Sequence, residues 1–236
     1  MRSLNAEALS SVTSCCTGRT IILMYEKCIS LGATCTPAWQ IRNYCHLAKA
    51  YPFDWLVTSF GSLIEVIESD FEKFVDCDDL QVIRDGGTVL NTRYNLLHHH
   101  DFQRISGKID PGWKSSAVEV ASKYEYLANR WRSLSEYEDK VLFVRHQGHL
   151  DADFKYLSPL VEDDMHILQA TLSRRFPRLD FDILFVTAGS SPTESARLYH
   201  ATVPYANEAD WPNPDDRWKG ATADWDRLLT DFAVKR

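Results

Sequence analysis

The apolar residues of this chain are spaced partly as in buried strands and partly as in helices. Two largely apolar runs, Lys140 to Arg145 and Phe181 to Val186, predict buried strands, and Cys28–Leu31 predicts a shorter one. Apolar residues recurring every three or four positions predict helices over 36–49, 62–74, 117–135, 160–176 and 223–232. Short strands are expected at 82–83, 88–90 and 94–97, around the turn Asp85-Gly86-Gly87.

The order strand, helix, strand between residues 140 and 186 is that of a βαβ unit, which builds a parallel sheet through a right-handed crossover. We therefore predict an α/β (or α+β) fold, with a small, mostly parallel central sheet flanked by helices. The length of 236 residues fits a single domain. Residues 1–26 are expected to form a mobile N-terminal arm and residues 27–236 the folded domain.

Composition and charge narrow the choice of partners and compartment. The net charge of −7 repels phosphate backbones and argues against nucleic-acid binding. No apolar run approaches the roughly 20 residues that span a bilayer, so we expect no membrane insertion and a cytoplasmic location. No CxxC pair occurs, and no metal or other cofactor is expected. The oligomeric state stays open. The six cysteines fall in the first third of the chain: Cys15, Cys16, Cys28, Cys35, Cys45 and Cys77.

One cysteine lies where a strand is predicted to turn into a helix, in the segment Ser30-Leu31-Gly32-Ala33-Thr34-Cys35-Thr36-Pro37. The partial positive charge of a helix N-terminus favours thiolate over thiol, and the N–H groups of the same turn can stabilise an oxyanion. Gly32 would permit a tight approach of the backbone. The alternative is that Cys35 is only a small buried residue at a βα turn.

A nucleophilic cysteine needs a base, and the candidates are His98, His99 and His100, followed by Asp101. On a strand, His98 and His100 would share one face and His99 would lie on the other. The alternative is a polar strand end with solvated histidines. A second carboxylate, Asp54 of the segment Pro52-Phe53-Asp54-Trp55, could orient a histidine or cap a turn.

Three other kinds of site can be compared with the sequence: a metal site, a phosphate-binding loop and a serine elbow. The spacing His146-x-x-His149-x-Asp151 offers metal-ligand types, and a metallohydrolase could combine them with His98 and His100, although a polar loop is the more common meaning. Residues 187–192 match no phosphate-binding motif and are expected to form an ordinary loop. No G-x-S-x-G occurs, which excludes a serine elbow of the α/β-hydrolase type.

Taken in order, the motifs SLGATC, PFDW and HHHDF resemble those of a bacterial family of proteins described as papain-like cysteine peptidases. The resemblance covers roughly residues 27–232. It implies that Cys35 is the nucleophile of a thiol hydrolase and that the histidine of HDF, His100, is its base. It leaves Asp54 and Asp101 as alternatives for the group that orients the histidine. A peptide or another amide-containing or acyl compound is the implied substrate.

A second class of function fits the same sequence. The chain could be a non-catalytic binding module linked to surface-glycan or cell-envelope processing, with Cys35 packed in the core. Trp211, Trp218 and Trp225 would then form a platform for a ligand. A thiol hydrolase requires a reactive thiol at Cys35, whereas a binding module requires only that Cys35 packs in the core.

Overall fold

A parallel sheet and an antiparallel sheet, each of four strands, form the centre of the computed structural model, which describes residues 24–46, 48–147, 162–188 and 196–236. The strands of these residues are β1 (Lys27–Ser30), β2 (Leu56–Thr58), β3 (Leu80–Ile83), β4 (Thr88–Asn91), β5 (Leu96–His98), β6 (Arg104–Ile105), β7 (Lys108–Ile109), β8 (Val141–His146), β9 (Phe181–Thr187) and β10 (Leu198–Thr202). The helices are α1 (Thr36–Tyr44), α2 (Phe60–Glu68), α3 (Ala117–Arg132), α4 (Glu162–Arg175) and α5 (Thr222–Asp231).

The parallel sheet has the order β1-β8-β9-β10, and every adjacent pair in it is parallel. All six residues of β8 are buried, because this strand lies inside the sheet and both of its faces are covered. Helix α4 connects β8 to β9, so the predicted βαβ unit is confirmed. The predicted fold class, a small parallel sheet flanked by helices, is confirmed with it.

The antiparallel sheet has the order β2-β5-β4-β3. Its edge strand β2 pairs with β5 and sets Leu56 opposite His98. The other edge of β2 meets the turn after β1, where the N–H of Thr58 donates to the carbonyl of Ala33 at 3.1 Å. The turn before Cys35 therefore lies on one side of β2, and β5, which ends at His98, lies on the other side.

Two hydrophobic clusters cover the faces of the parallel sheet. The larger cluster joins residues of both sheets, among them Ile29 of β1, Leu56 of β2 and Phe143 of β8, around the fully buried Trp131 of α3. The second cluster packs α1 and α5 against the opposite face. Because one continuous core runs between the two sheets, they form a single domain.

Several element bounds differ from the predicted ones. Helix α2 ends at Glu68 and not near Phe74, because Asp70, Phe71 and Lys73 have φ values of 52°, 62° and 48° in the left-handed region. Helix α1 ends at Tyr44, since Cys45 is extended. Strands β2 and β10 were not predicted, because their apolar pattern is too short or too mixed to stand out.

Some predictions fall on residues outside the described ranges. These are residues 1–23 of the expected N-terminal arm, Cys15 and Cys16, His149 and Asp151 of the metal-like spacing, and residues 189–192 of the loop after β9. Within the described ranges, none of the helices has the length and apolar character needed to cross a membrane.

Candidate functional site

The turn from β1 into α1 has an unusual backbone. Gly32 and Ala33 follow each other with φ values of 71° and 81°, both in the left-handed region. For Ala33, which is buried, this conformation is strained, and such strain is often found at functional turns. Cys35 then takes the N-cap position of α1, with Pro37 in the first helical turn. The structure thus places the cysteine at a helix N-terminus, where the sequence predicts it.

Only glycine fits at position 32, and Gly32→Ala is expected to lower the free energy of unfolding by about 2–4 kcal/mol. A Cβ there would lie 2.8 Å from the carbonyl oxygen of Phe53 and 3.2 Å from Oγ1 of Thr58, in a backbone conformation that disfavours any side chain. Urea denaturation measures the change. Gly61→Ala is the matched control, because a Cβ at that site meets only Ser59 Oγ at 4.0 Å. Equal effects of the two substitutions would contradict this explanation.

A buried arginine fixes this turn to the neighbouring sheet. Arg145 of β8 is 2% exposed, and its Nη1 donates to the carbonyl of Leu31 at 2.7 Å and to Thr58 Oγ1 at 2.9 Å. Its Nη2 donates to the carbonyl of Thr58 at 2.7 Å. Burial lowers the pKa of Arg145 to about 9, while the charge of Asp164 acts in the opposite direction. The guanidinium therefore stays charged at neutral pH and ties β1 to β2 beside Cys35.

The Cys35 side chain is 7% exposed but belongs to none of the three clusters of buried hydrophobic residues found in the described part of the chain. Burial, together with the charges of Asp101 and Asp54, raises the pKa of its thiol to about 12. This differs from the expected stabilisation of the thiolate, because burial and two carboxylates outweigh the helix N-terminus. The resting thiol is protonated at neutral pH, and a nucleophilic role requires a base.

The histidine segment does not continue the strand alternation that the sequence predicts. Strand β5 ends at His98, and the chain bends over the following residues. His98 is completely buried, whereas His99 and His100 are exposed. The expectation that His98 and His100 share one face of a strand is therefore wrong.

Asp101 is the carboxylate that binds a histidine. Its Oδ2 lies 2.7 Å from Nδ1 of His98 and accepts a hydrogen bond from the hydroxyl of Tyr124 at 2.8 Å. Its Oδ1 accepts one from Nζ of Lys123 at 2.5 Å. Burial alone would raise the pKa of Asp101, but the bond to His98 and the charges of His98 and Lys123 lower it to about 2. Nε2 of His98 has no hydrogen-bond partner in the described part of the chain.

His100 lies at the surface between two indole rings. Its ring centroid is 5.8 Å from that of Trp55 and 6.2 Å from that of Trp218. Partial burial by these neighbours lowers the pKa of His100, and the charge of Asp101 opposes the shift. The imidazole is therefore neutral at pH 7 and can accept a proton. The described residues contain no hydrogen bond between the thiol of Cys35 and an imidazole.

Asp54 binds no histidine in the described structure. Its Oδ2 accepts hydrogen bonds from the backbone N–H of Tyr51 at 3.0 Å and from Nη2 of Arg42 at 3.1 Å. Of the two roles that the sequence left open for Asp54, this geometry corresponds to the cap of a turn. Burial raises the pKa of Asp54 to about 6, although the Tyr51 N–H and the Arg42 charge both act to lower it.

The raised pKa of Asp54 predicts a pH dependence of stability. Because the folded-state pKa of about 6 lies above the ordinary value of 3.8 for an aspartate, the folded chain holds a proton that the unfolded chain has released. The contribution of Asp54 to stability therefore falls as pH rises from about 4 to about 6. Urea denaturation across this range should show a smaller decline in Asp54→Asn than in the wild type. Asp85→Asn, at an exposed carboxylate, is the control and should leave the decline unchanged.

A third histidine lies close to the cysteine turn. His146 ends β8, and its Nδ1 is 3.4 Å from Oγ1 of Thr34. Burial, with the charge of Arg145, lowers the pKa of His146 to about 3. No group of three or more metal-ligating side chains occurs among the described residues, a set that leaves out His149 and Asp151. His146 is therefore a neutral side chain at the edge of the candidate site.

The described residues thus place a cysteine at the N-terminus of a helix on one side of β2 and a histidine bound to a buried carboxylate on the other side, and thiol hydrolases use side chains of these kinds. The comparison with protein families agrees with this class. The model of the family described as "putative papain-like cysteine peptidase" (DUF1796) matches residues 26–190, and the chain belongs to this family. Neither the curated proteins nor the solved structures contain a match to the chain. The family description implies a protein substrate.

Proposed function

We propose that the protein is a thiol hydrolase that cleaves peptide or related amide bonds, with Cys35 as the nucleophile and His100 as the base. The observation that carries the proposal is the position of Cys35. Its thiol lies at the N-cap of α1, where the charge of Asp101 acts on it. Asp101 is the carboxylate that binds His98. Family membership supports the same reaction class.

The choice of His100 over His98 rests on access. A base in amide hydrolysis takes the proton from the thiol and returns it to the leaving nitrogen, so it must reach the substrate. His98 has no exposed surface, and its Nδ1 is engaged by Asp101. His100 is exposed and neutral, and it lies beside Trp218, whose carbonyl accepts a hydrogen bond from Thr36, the residue after Cys35.

The reaction uses groups that the described residues provide. The Cys35 sulfur attacks the substrate carbonyl as its proton moves to His100, and the carbonyl oxygen becomes an oxyanion. No side chain caps the start of α1, so first-turn N–H groups of this helix can donate to that oxyanion. Collapse breaks the carbon–nitrogen bond, and His100 returns the proton to the leaving amine. Water then attacks the thioester, loses a proton to His100, and releases the acid and the thiol.

Cys35→Ala is expected to reduce hydrolysis of a quenched-fluorescence peptide mixture to the uncatalysed background, because the nucleophile is lost. His100→Ala is expected to lower the rate by a factor of about 10²–10⁴, the usual effect of losing a general base. Cys45→Ala and His99→Ala are the matched controls, as one removes another buried thiol and the other an adjacent exposed imidazole. Full turnover by Cys35→Ala would overturn the proposal.

The second candidate, a non-catalytic binding module, is favoured by the protonated thiol and by its lack of a hydrogen bond to an imidazole in the described residues. In that case Cys35→Ser costs about 1–3 kcal/mol of stability and changes no reaction. The aromatic platform expected for this function is incomplete, because Trp225 is fully buried. Trp218 is exposed and Trp211 is half-buried.

We also propose that the functional domain extends from residue 27 to residue 236, past the end of the family match at residue 190. Trp225 and Leu229 of α5 belong to the same hydrophobic cluster as Leu142 and Val144 of β8. The C-terminal residues are therefore part of the core, and a chain shortened to residue 190 should not fold.

A further inference from the structure

We propose that Trp218, together with Trp55 and His100, forms a subsite that binds an aromatic side chain of the substrate next to Cys35. These three residues are called the aromatic subsite below. The inference deepens the proposed thiol hydrolase activity and rests on it for the identity of the reacting thiol. Trp218 lies beyond the residues that the family model matches, so this part of the site is assigned by the structure alone.

The segment that carries Trp218 is held directly against the helix that begins after Cys35. Oγ1 of Thr36 donates to the carbonyl of Trp218 at 2.6 Å, and Nε2 of Gln40 donates to the carbonyl of Lys219 at 2.7 Å. Gly220 lies so close to α1 that a Cβ would be 2.8 Å from Cγ2 of Thr36. Trp218 is therefore fixed beside the first turn of α1 and is not on a free tail.

The three rings contact one another, and those of Trp218 and His100 stay exposed. The centroids of Trp55 and Trp218 are 6.4 Å apart at an angle of 73°, and each ring also contacts His100. Trp218 is 41% exposed, a large fraction for a side chain whose neighbours hold it in place. Aromatic pairs prefer such edge-to-face geometry, and exposed apolar side chains that lie together mark interaction sites more often than isolated ones do.

Most of the charged groups around the aromatic subsite are paired with an opposite charge, which favours an uncharged occupant. His100 is neutral at pH 7 because partial burial lowers its pKa. The guanidinium of Arg42 lies 5.1 Å from the centroid of the Trp55 ring, but Asp54 neutralises it. The ammonium of Lys219 is paired with Asp216 and lies over other indole rings. A phenylalanine-like side chain matches this environment better than a charged one does.

The test measures binding without catalysis. Full-length Cys35→Ala protein is labelled with 5-fluorotryptophan, and the fluorine resonance of Trp218 is assigned from its loss in Trp218→Phe. The protein is titrated with N-acetyl-phenylalanine amide, N-acetyl-alanine amide and methyl glucoside. We expect the Trp218 resonance to shift with the phenylalanine amide alone, while the resonance of the fully buried Trp131 stays in place. No shift, or an equal shift with alanine amide or glucoside, would overturn the aromatic subsite.

A second arm separates this inference from the proposed activity. In the active protein, Trp218→Ala should lower the ratio of kcat/KM for a phenylalanine-containing peptide to kcat/KM for an alanine-containing peptide by about tenfold or more. Trp218→Phe should restore most of the preference. Hydrolysis that depends on Cys35 but shows no such preference refutes the subsite only. Binding of the phenylalanine amide to a protein without hydrolase activity refutes the proposed function and leaves the subsite standing.

Discussion

Arg145→Met is expected to lower the free energy of unfolding by about 2–4 kcal/mol. The substitution keeps an apolar chain of similar length but removes the donors that satisfy two buried backbone carbonyls, those of Leu31 and Thr58. It also removes the bond to Thr58 Oγ1, which accepts a hydrogen bond from the N–H of Ala33 in the cysteine turn. Unsatisfied buried carbonyls account for most of the expected cost.

The same substitution should affect the candidate site more than the rest of the molecule. The guanidinium helps to hold the end of β1 against β2, so its loss is expected to make the turn before Cys35 more mobile. Faster amide hydrogen exchange at Ala33 and Thr58 would detect this change. Arg227→Met is the control, since Arg227 forms only an exposed ion pair with Asp224. Its effect should stay within about 0.5 kcal/mol. An effect of Arg145→Met equally small would show that the guanidinium is not a structural link.

Asp101→Ala is expected to destabilise the fold by about 3–5 kcal/mol, the range seen when one partner of a buried charged pair is removed. The side chain of Asp101 is completely buried, and its loss leaves Nδ1 of His98 and the hydroxyl of Tyr124 without partners. Thermal or urea denaturation measures the change. Asp85→Ala, at a carboxylate that is almost fully exposed, is the control and should cost no more than about 0.5 kcal/mol.

The lowered pKa of Asp101 adds a test at acid pH. Its folded-state pKa of about 2 lies below the ordinary value of 3.8 for an aspartate, so the unfolded chain binds the proton first as pH falls. The stabilisation by Asp101 is complete above about pH 4 and is lost between about pH 4 and pH 2. Asp101→Asn should therefore lose less stability than the wild type over this range. Identical acid dependence in the two proteins would contradict the assigned pKa.

Strands β8 and β9 of the parallel sheet could be predicted because they are buried on both faces and leave largely apolar runs in the sequence. The end of α2 could not, because the helical pattern of apolar residues continues through Phe71 and Phe74 after the backbone has left the helix. Their burial is decided by packing around Trp131 and Tyr94 and not by helical periodicity. Apolar spacing alone therefore overestimates the length of such a helix.

The candidate site was only partly predictable, for a similar reason. Gly32 and Pro37 mark the turn and the helix start, so the position of Cys35 follows from local sequence. The bond between His98 and Asp101 depends on where β5 ends, which a run of three histidines does not indicate. The structural role of Arg145 could have been predicted from the sequence, because an arginine within a fully buried strand needs hydrogen-bond acceptors.

The most direct test of Cys35 as the nucleophile compares the rates at which iodoacetamide alkylates Cys35 and Cys45 at pH 7. Peptide mass spectrometry distinguishes the two alkylated thiols. Both thiols are buried, and burial raises the pKa of Cys45 to about 11 and that of Cys35 to about 12, so acidity alone would make Cys45 the faster. We expect Cys35 to react faster than Cys45 in the wild type and to lose this advantage in His100→Ala. Slower alkylation of Cys35, or the same rate in both proteins, would contradict this expectation.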